Sequence, residues 1–385
     1  MTMRETVQGK GERSSNPIFL LTGDKPEALD VKRSAQAAVN IKEAVQSTDT
    51  QSAEHIFVLT DAERDAVGEL IASLPALNVR SVEDDLLTRV EMAGRQMPQR
   101  LAETLIRFRR QANRYGSLLI RNLPTDPVLP DTPRDGKPAP DKKTFFSEYS
   151  LLMTMVQLGE PISYSDEKDG VLIQNICPVA GHEAKQENTG STYLEFHTED
   201  GFHPYKPDYL GLVCLRSDHE RLAETATASI RNVLHAIPST AITLLRQPLF
   251  RLRLSTSFLH GSNSQEMYSA AMPVLTGNLL QPEMCVDYFL MEATTPEAKW
   301  ALELLKAELL KVASGFVLLP GDMVLIDNRL AAHARTGFTP RYDGKDRWLQ
   351  RCFTVEDFRR SAFSRSPGQH ICSPLSIVFS MQDAG

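Results

Sequence analysis

The chain has 385 residues, 42% hydrophobic and 24% charged, with a formal net charge of −7. That is the profile of a soluble globular protein long enough for one large domain or two ordinary ones. The acidic balance argues against a nucleic-acid binder, which needs a basic face, but leaves room for a small anion held by one or two arginines.

Residues 1–55 are polar and weakly patterned, and read as an N-terminal extension that is partly irregular. The only early apolar run, IFLL, is too short for a signal peptide or a membrane span. Cys177, Cys214, Cys285, Cys352 and Cys372 stand singly, without a CxxC pair, which predicts reduced thiols and a cytoplasmic location.

A helix follows, with Thr60 and Glu63 as a capping box and Val67, Leu70, Ile71 and Leu74 as its apolar stripe. Two more helices fit residues 84–95 and 97–115, the last with Leu101, Leu105 and Phe108 on one side. SLLIRNL, at 117–123, reads as a buried strand, and the proline-rich stretch 124–143 as a surface excursion. Residues 144–158 have helical patterning.

From about residue 160 the pattern is short strands divided by turns: VLIQNI, YLGLVCLRS, LFRLRLSTSF, FVLL, MVLID and RWLQRCFTV. Helical patterning interrupts them at 223–236 and 296–313. The expectation is one α+β domain over 56–385, with a helical part (56–158) and a barrel or jelly-roll core (160–360).

The stretch LEFHTEDGFHPY, at 194–205, raises the question of a metal site. On an extended segment His197 and Glu199 point the same way and can converge on one ion. An isolated H-x-E is weak evidence, because the pairing is common by chance. A third candidate, His333, follows the strand MVLID in what reads as a polar loop. Arg347 and Arg351 lie four apart in RWLQR, so on a strand they share a face. Their bland reading is a surface ladder. Yet Trp348, Leu349, Cys352 and Phe353 around them suggest a strand buried on both faces, where a guanidinium needs an acidic partner. Two histidines and one carboxylate form the facial triad of non-haem Fe(II) oxygenases, and a buried arginine would suit an oxo-acid cosubstrate. The same ligands also describe catalytic zinc, so a zinc-dependent jelly-roll hydrolase or a metal-stabilised binding protein is the competing reading.

HTED, then FHPYKPDYLGLVCLRSDHE and ETATASI, then DNRLAAHARTGF and RYDGKDRWLQR, resembles the clavaminate synthase-like branch of Fe(II)/2-oxoglutarate dioxygenases. The likeness runs over about residues 115–355, and the branch includes hydroxylases of free arginine, asparagine and lysine. The resemblance implies a double-stranded β-helix, or jelly roll, with N-terminal and inserted flanking helices. It implies His197, Glu199 and His333 as iron ligands and Arg347 as the anchor of 2-oxoglutarate, with Thr225 beside it and Thr227 as the fallback. It implies Arg351 for the substrate's α-carboxylate, and Glu167, Asn188 and Asp287 near the rest of the amino acid. Arginine-specific relatives carry a second acid where this chain has Cys285.

The implied activity is hydroxylation of a free L-amino acid with Fe(II), O2 and 2-oxoglutarate, releasing succinate and CO2. A single acid at Asp287 makes L-lysine or a similar basic amino acid the first expectation. Asparagine, glutamine, arginine or a carrier-bound amino acid is the alternative. In that expectation the free oxygen of Glu199 meets the α-ammonium. His203 is expected to be structural, and His182, His219, His235, His260 and His370 to be surface residues.

Overall fold

Thr60 and Glu63 close the expected capping box: the Thr60 N–H donates to Glu63 Oε2 at 2.8 Å and the Glu63 N–H to Thr60 Oγ1 at 3.2 Å. They start the first helix, Asp61–Ala72. The computed structural model describes residues 55–255, 258 and 267–382, so the expected N-terminal extension lies, but for His55, outside the described residues, as does His260. Helices Asp84–Gly94, Gln99–Gln111 and Phe146–Met155 follow. The third stops short of the expected residue 115 because Ala112 takes a positive φ of 50°.

The strands, in chain order, begin with β1 (Ile56–Val58), β2 (Ser117–Arg121), β3 (Glu160–Tyr164), β4 (Gln174–Ile176) and β5 (Leu194–His197). Next come β6 (Tyr209–Arg216), β7 (Glu224–Ser229), β8 (Phe250–Leu252), β9 (Leu275–Gly277), β10 (Pro282–Met284) and β11 (Met291–Ala293). The last are β12 (Ser314–Val317), β13 (Met323–Asp327), β14 (Ala331–Arg335), β15 (Trp348–Val355) and β16 (Ile371–Cys372). An eight-stranded sheet runs β1-β2-β13-β6-β15-β3-β16, with β4 also on β15. A four-stranded antiparallel sheet runs β12-β7-β14-β5.

Alternation along the large sheet divides two cores. Leu118, Ile120, Val213, Leu215, Met323, Leu325 and Trp348 pack with the N-terminal helices through residues such as Leu101, Leu105 and Leu151. Their neighbours Leu119, Leu210, Leu212, Val324, Ile326, Leu349 and Phe353 belong to the other core, shared with the small sheet and helix Pro296–Lys311. Gly211 permits the close approach of helix Phe146–Met155, since a Cβ there would lie 2.6 Å from Met155 Sδ.

Several expectations are corrected. Residues 223–236 are not one helix. Glu224–Ser229 is β7, held between β12 and β14, and only Ile230–Val233 is α-helical. His333 lies on strand β14 rather than in a loop. The excursion at 124–143 does run along the surface, anchored by buried Lys142, which pairs with Asp126 at 2.9 Å and Glu148 at 2.6 Å. His370 is buried, with Nδ1 2.7 Å from the Pro161 carbonyl, and His219 pairs with Asp343 at 3.1 Å. Among the described residues no helix is long and apolar enough to cross a membrane.

Candidate active site

His197, the last residue of β5, is the register partner of His333 on β14, and the two imidazole centroids lie 4.2 Å apart. Glu199 stands two residues further, with Oε2 3.5 Å from His333 Nε2. One donor atom from each residue lies within 4.8 Å of the other two.

Asn328 holds this turn from behind. It accepts the Glu199 N–H at 2.7 Å and donates to the carbonyls of Glu199 at 3.0 Å and Pro207 at 2.8 Å. Asp200 follows with a positive φ of 48°, and Gly201 packs so closely that a Cβ would sit 2.6 Å from Cys285 Sγ. Asn328→Ala would leave three buried backbone groups unpaired. The expected result is a loss of about 2–4 kcal/mol of stability and of roughly ten- to a hundredfold in iron affinity. Denaturant unfolding and metal titration read the two effects.

The donor set fits a divalent iron. His197 Nδ1–H donates to the Glu195 carbonyl at 2.8 Å, which leaves the Nε2 lone pair for a metal. Burial, then the adjacent His197, push the His333 imidazole down to about 4, so it is neutral at pH 7 and able to ligate. Burial alone would raise the Glu199 carboxyl, but Arg351, with both histidines, holds it well below the usual carboxylate range. Arg351 Nη1 takes Glu199 Oε1 at 2.9 Å. Beyond its approach to His333, the buried Oε2 has no hydrogen-bond partner. One oxygen therefore remains for a metal, while the other already accepts from Arg351.

The site opens into a cavity of about 410 Å³ between the two sheets, a size suited to small ligands. Arg347, one residue before β15, is buried and donates through Nη2 to Thr225 Oγ1 at 3.4 Å. Among the described residues it has no carboxylate at ion-pair distance, and burial lowers its pKa from the ordinary value. Thr227, the fallback, bonds Ser117 Oγ at 2.9 Å instead. Arg351 does have acidic partners. It pairs with Glu167 as well as Glu199, and its Nε donates to Gln174 Oε1 at 3.0 Å.

Glu167 is buried in the cavity wall and keeps an unpartnered Oε2. Asn188 lines the cavity from the segment that follows β4. Asp287 is bridged to His197 across the backbone, and its Oδ1 accepts the N–H groups of Phe289 and Leu290, both at 2.8 Å. Burial raises its pKa against the opposing pull of His197 and those two bonds. Cys285 is buried against Gly201 and does not line the cavity.

The His203 ring packs tilted against Tyr164, centroids 4.2 Å apart, and accepts the Tyr205 N–H through Nδ1 at 3.0 Å. It is a packing residue. Asn328 behind the turn, Gln174 on β4 and Arg335 in the cavity wall are residues that the sequence reading did not single out. Only Arg335 carried a signal, standing two residues after His333 and hence on the same strand face.

The profile of the taurine catabolism dioxygenase TauD, TfdA family matches residues 86–353. An L-asparagine oxygenase of Streptomyces coelicolor is 40% identical over 269 residues, 70% of this chain and 79% of that protein. An L-lysine 3-hydroxylase of Catenulispora acidiphila is 32% identical over 301 residues, 77% of this chain and 83% of that protein. The crystal structure of asparagine oxygenase with Fe(II), 2S,3S-3-hydroxyasparagine and succinate superposes with a TM-score of 0.76 at 35% identity, covering 83% of this chain and 99% of that one. This chain belongs to the TauD/TfdA dioxygenase family, and is an Fe(II)- and 2-oxoglutarate-dependent amino-acid oxygenase that uses O2.

Proposed function

We propose that the protein hydroxylates an unactivated C–H bond of a free L-amino acid, and that this amino acid is L-asparagine. In this reading the two sheets form the double-stranded β-helix, and His197, Glu199 and His333 hold the iron. Arg347 and Thr225 receive the distal carboxylate of 2-oxoglutarate. Iron bound at the three ligands, with O2 and 2-oxoglutarate, would supply the oxidising chemistry, with succinate and CO2 as the co-products.

The chain's own residues would orient the substrate. Arg351 has one N–H of Nη1 left for the α-carboxylate, and the unpartnered Oε2 of Glu167 suits the α-ammonium. The position of Asp287 carries the choice of side chain. It is the cross-strand neighbour of His197, so a group that meets it lies close to the reacting centre. With Oδ1 taken by two backbone N–H groups, Oδ2 is left as the acceptor, which suits a carboxamide N–H. Asn188 could face the amide's oxygen. The 40% identity to an L-asparagine oxygenase points the same way. L-Lysine, the first expectation from sequence, stays as the second reading because a lysine 3-hydroxylase is 32% identical.

A mass-spectrometric screen of the twenty amino acids for gain of one oxygen tests this. Asparagine is the expected product-former, and Asp287→Ala should lower its kcat/KM by roughly ten- to a hundredfold, about 1.5–3 kcal/mol. Oxidation of lysine with asparagine untouched would reverse the assignment.

A further inference from the structure

His333 and Arg335 alternate on β14, so both side chains leave the strand on one face. His333 pairs with Thr227 of β7, and Arg335 pairs with Thr225, the threonine that Arg347 touches. Moving from His333 to Arg335 is thus a step of roughly 7 Å along the sheet, from the three candidate ligands toward the Arg347 end of the cavity. Arg335 lines that cavity and is buried. Its Nη2 donates to the Thr192 carbonyl at 2.8 Å, while Nε is buried with no partner.

Both guanidiniums flank one ring. The Arg335 and Arg347 Cζ atoms stand 5.3 and 5.8 Å from the Phe338 centroid. Neither has a carboxylate at ion-pair distance among the described residues. Asp218 is near enough to act on Arg347, but its oxygens accept the N–H groups of Leu222 and Ala223 at 2.9 and 3.0 Å. Two buried like charges with no anion between them are costly, and an incoming carboxylate relieves both.

We propose that Arg335 is a second cation for the cosubstrate, meeting its distal carboxylate together with Arg347 and making the cavity select dicarboxylic over monocarboxylic 2-oxo acids. This rests on the reading of Arg347 as the cosubstrate anchor. Arg347 and Thr225 would set the carboxylate's direction, and Arg335 would supply the added charge that discriminates against an uncharged tail.

The test is calorimetric titration of the Mn(II)-loaded full chain, without O2, by 2-oxoglutarate and by 2-oxovalerate, which has a methyl in place of the distal carboxylate. Arg335→Gln should weaken 2-oxoglutarate by roughly ten- to a hundredfold and 2-oxovalerate by less than about twofold. Unchanged 2-oxoglutarate binding, or equal loss for both ligands, would overturn the proposal. Should the glutamine variant not fold, Arg335→Lys carries the test. The ratio of the two affinities should fall several-fold, because an ammonium cannot serve Thr192 and the carboxylate as the fork does, and an unchanged ratio refutes it. Arg347→Ala serves as the control. If it too leaves 2-oxoglutarate binding intact, the cosubstrate reading itself fails and takes this proposal with it.

Discussion

His333→Ala is expected to abolish both iron binding and succinate formation. Losing an outer-shell partner of a metal ligand alone costs roughly ten- to a hundredfold in affinity, and losing a ligand costs more. The change also leaves Glu199 Oε2 facing an apolar methyl group in place of the imidazole 3.5 Å away. Its carboxylate would then keep Arg351 and His197 but lose the His333 contact. Metal content after dialysis and succinate release under O2 are the two readouts. A variant that kept iron and normal turnover would remove His333 from the site.

Arg347→Ala is expected to cost about 2–4 kcal/mol of 2-oxoglutarate binding, roughly thirty- to a thousandfold in its KM. Arg347 is a buried guanidinium whose one hydrogen bond to Thr225 spans 3.4 Å, so its strong interactions remain to be made with a ligand. Arg347→Lys should not restore binding, because an ammonium lacks the planar fork that meets a carboxylate through two bonds. The KM for the amino acid should change far less, since Arg351 and Glu167 occupy another part of the cavity wall. An unchanged KM for 2-oxoglutarate in the alanine variant would refute the assignment.

The parts of this site readable from sequence were those set by local spacing. His197 and Glu199 stand two apart in the sequence, but the strand ends at His197 and Glu199 lies in the turn that follows, so it is the turn that brings them together. Arg347 and Arg351 share a face because they lie four apart along an extended segment, and β15 is buried along its whole length, as its apolar neighbours implied. The capping box at Thr60 is likewise a purely local device.

What stayed illegible depends on contacts between distant segments. Arg351 meets Glu167 and Gln174, which are 184 and 177 residues away in the chain. Asn328 fixes Glu199 from 129 residues away. Residues 224–229 had helical patterning on their own, but two flanking strands claim their backbone hydrogen bonds, and tertiary pairing outweighs so short a propensity. His370 had no local partner to predict, and is buried through contacts with Pro161 and Asp84. The competing zinc hydrolase reading loses its footing on a similar long-range feature. A buried Arg347 without a protein carboxylate has no use in hydrolysis, and the family match agrees.

The most direct measurement follows L-asparagine and 2-oxoglutarate together in one reaction with Fe(II) and O2. The account predicts one succinate for each hydroxylated asparagine, with the added oxygen absent when O2 is withheld. If asparagine emerged unchanged or hydrolysed to aspartate, with no succinate formed, the proposed reaction at His197, Glu199 and His333 would be contradicted.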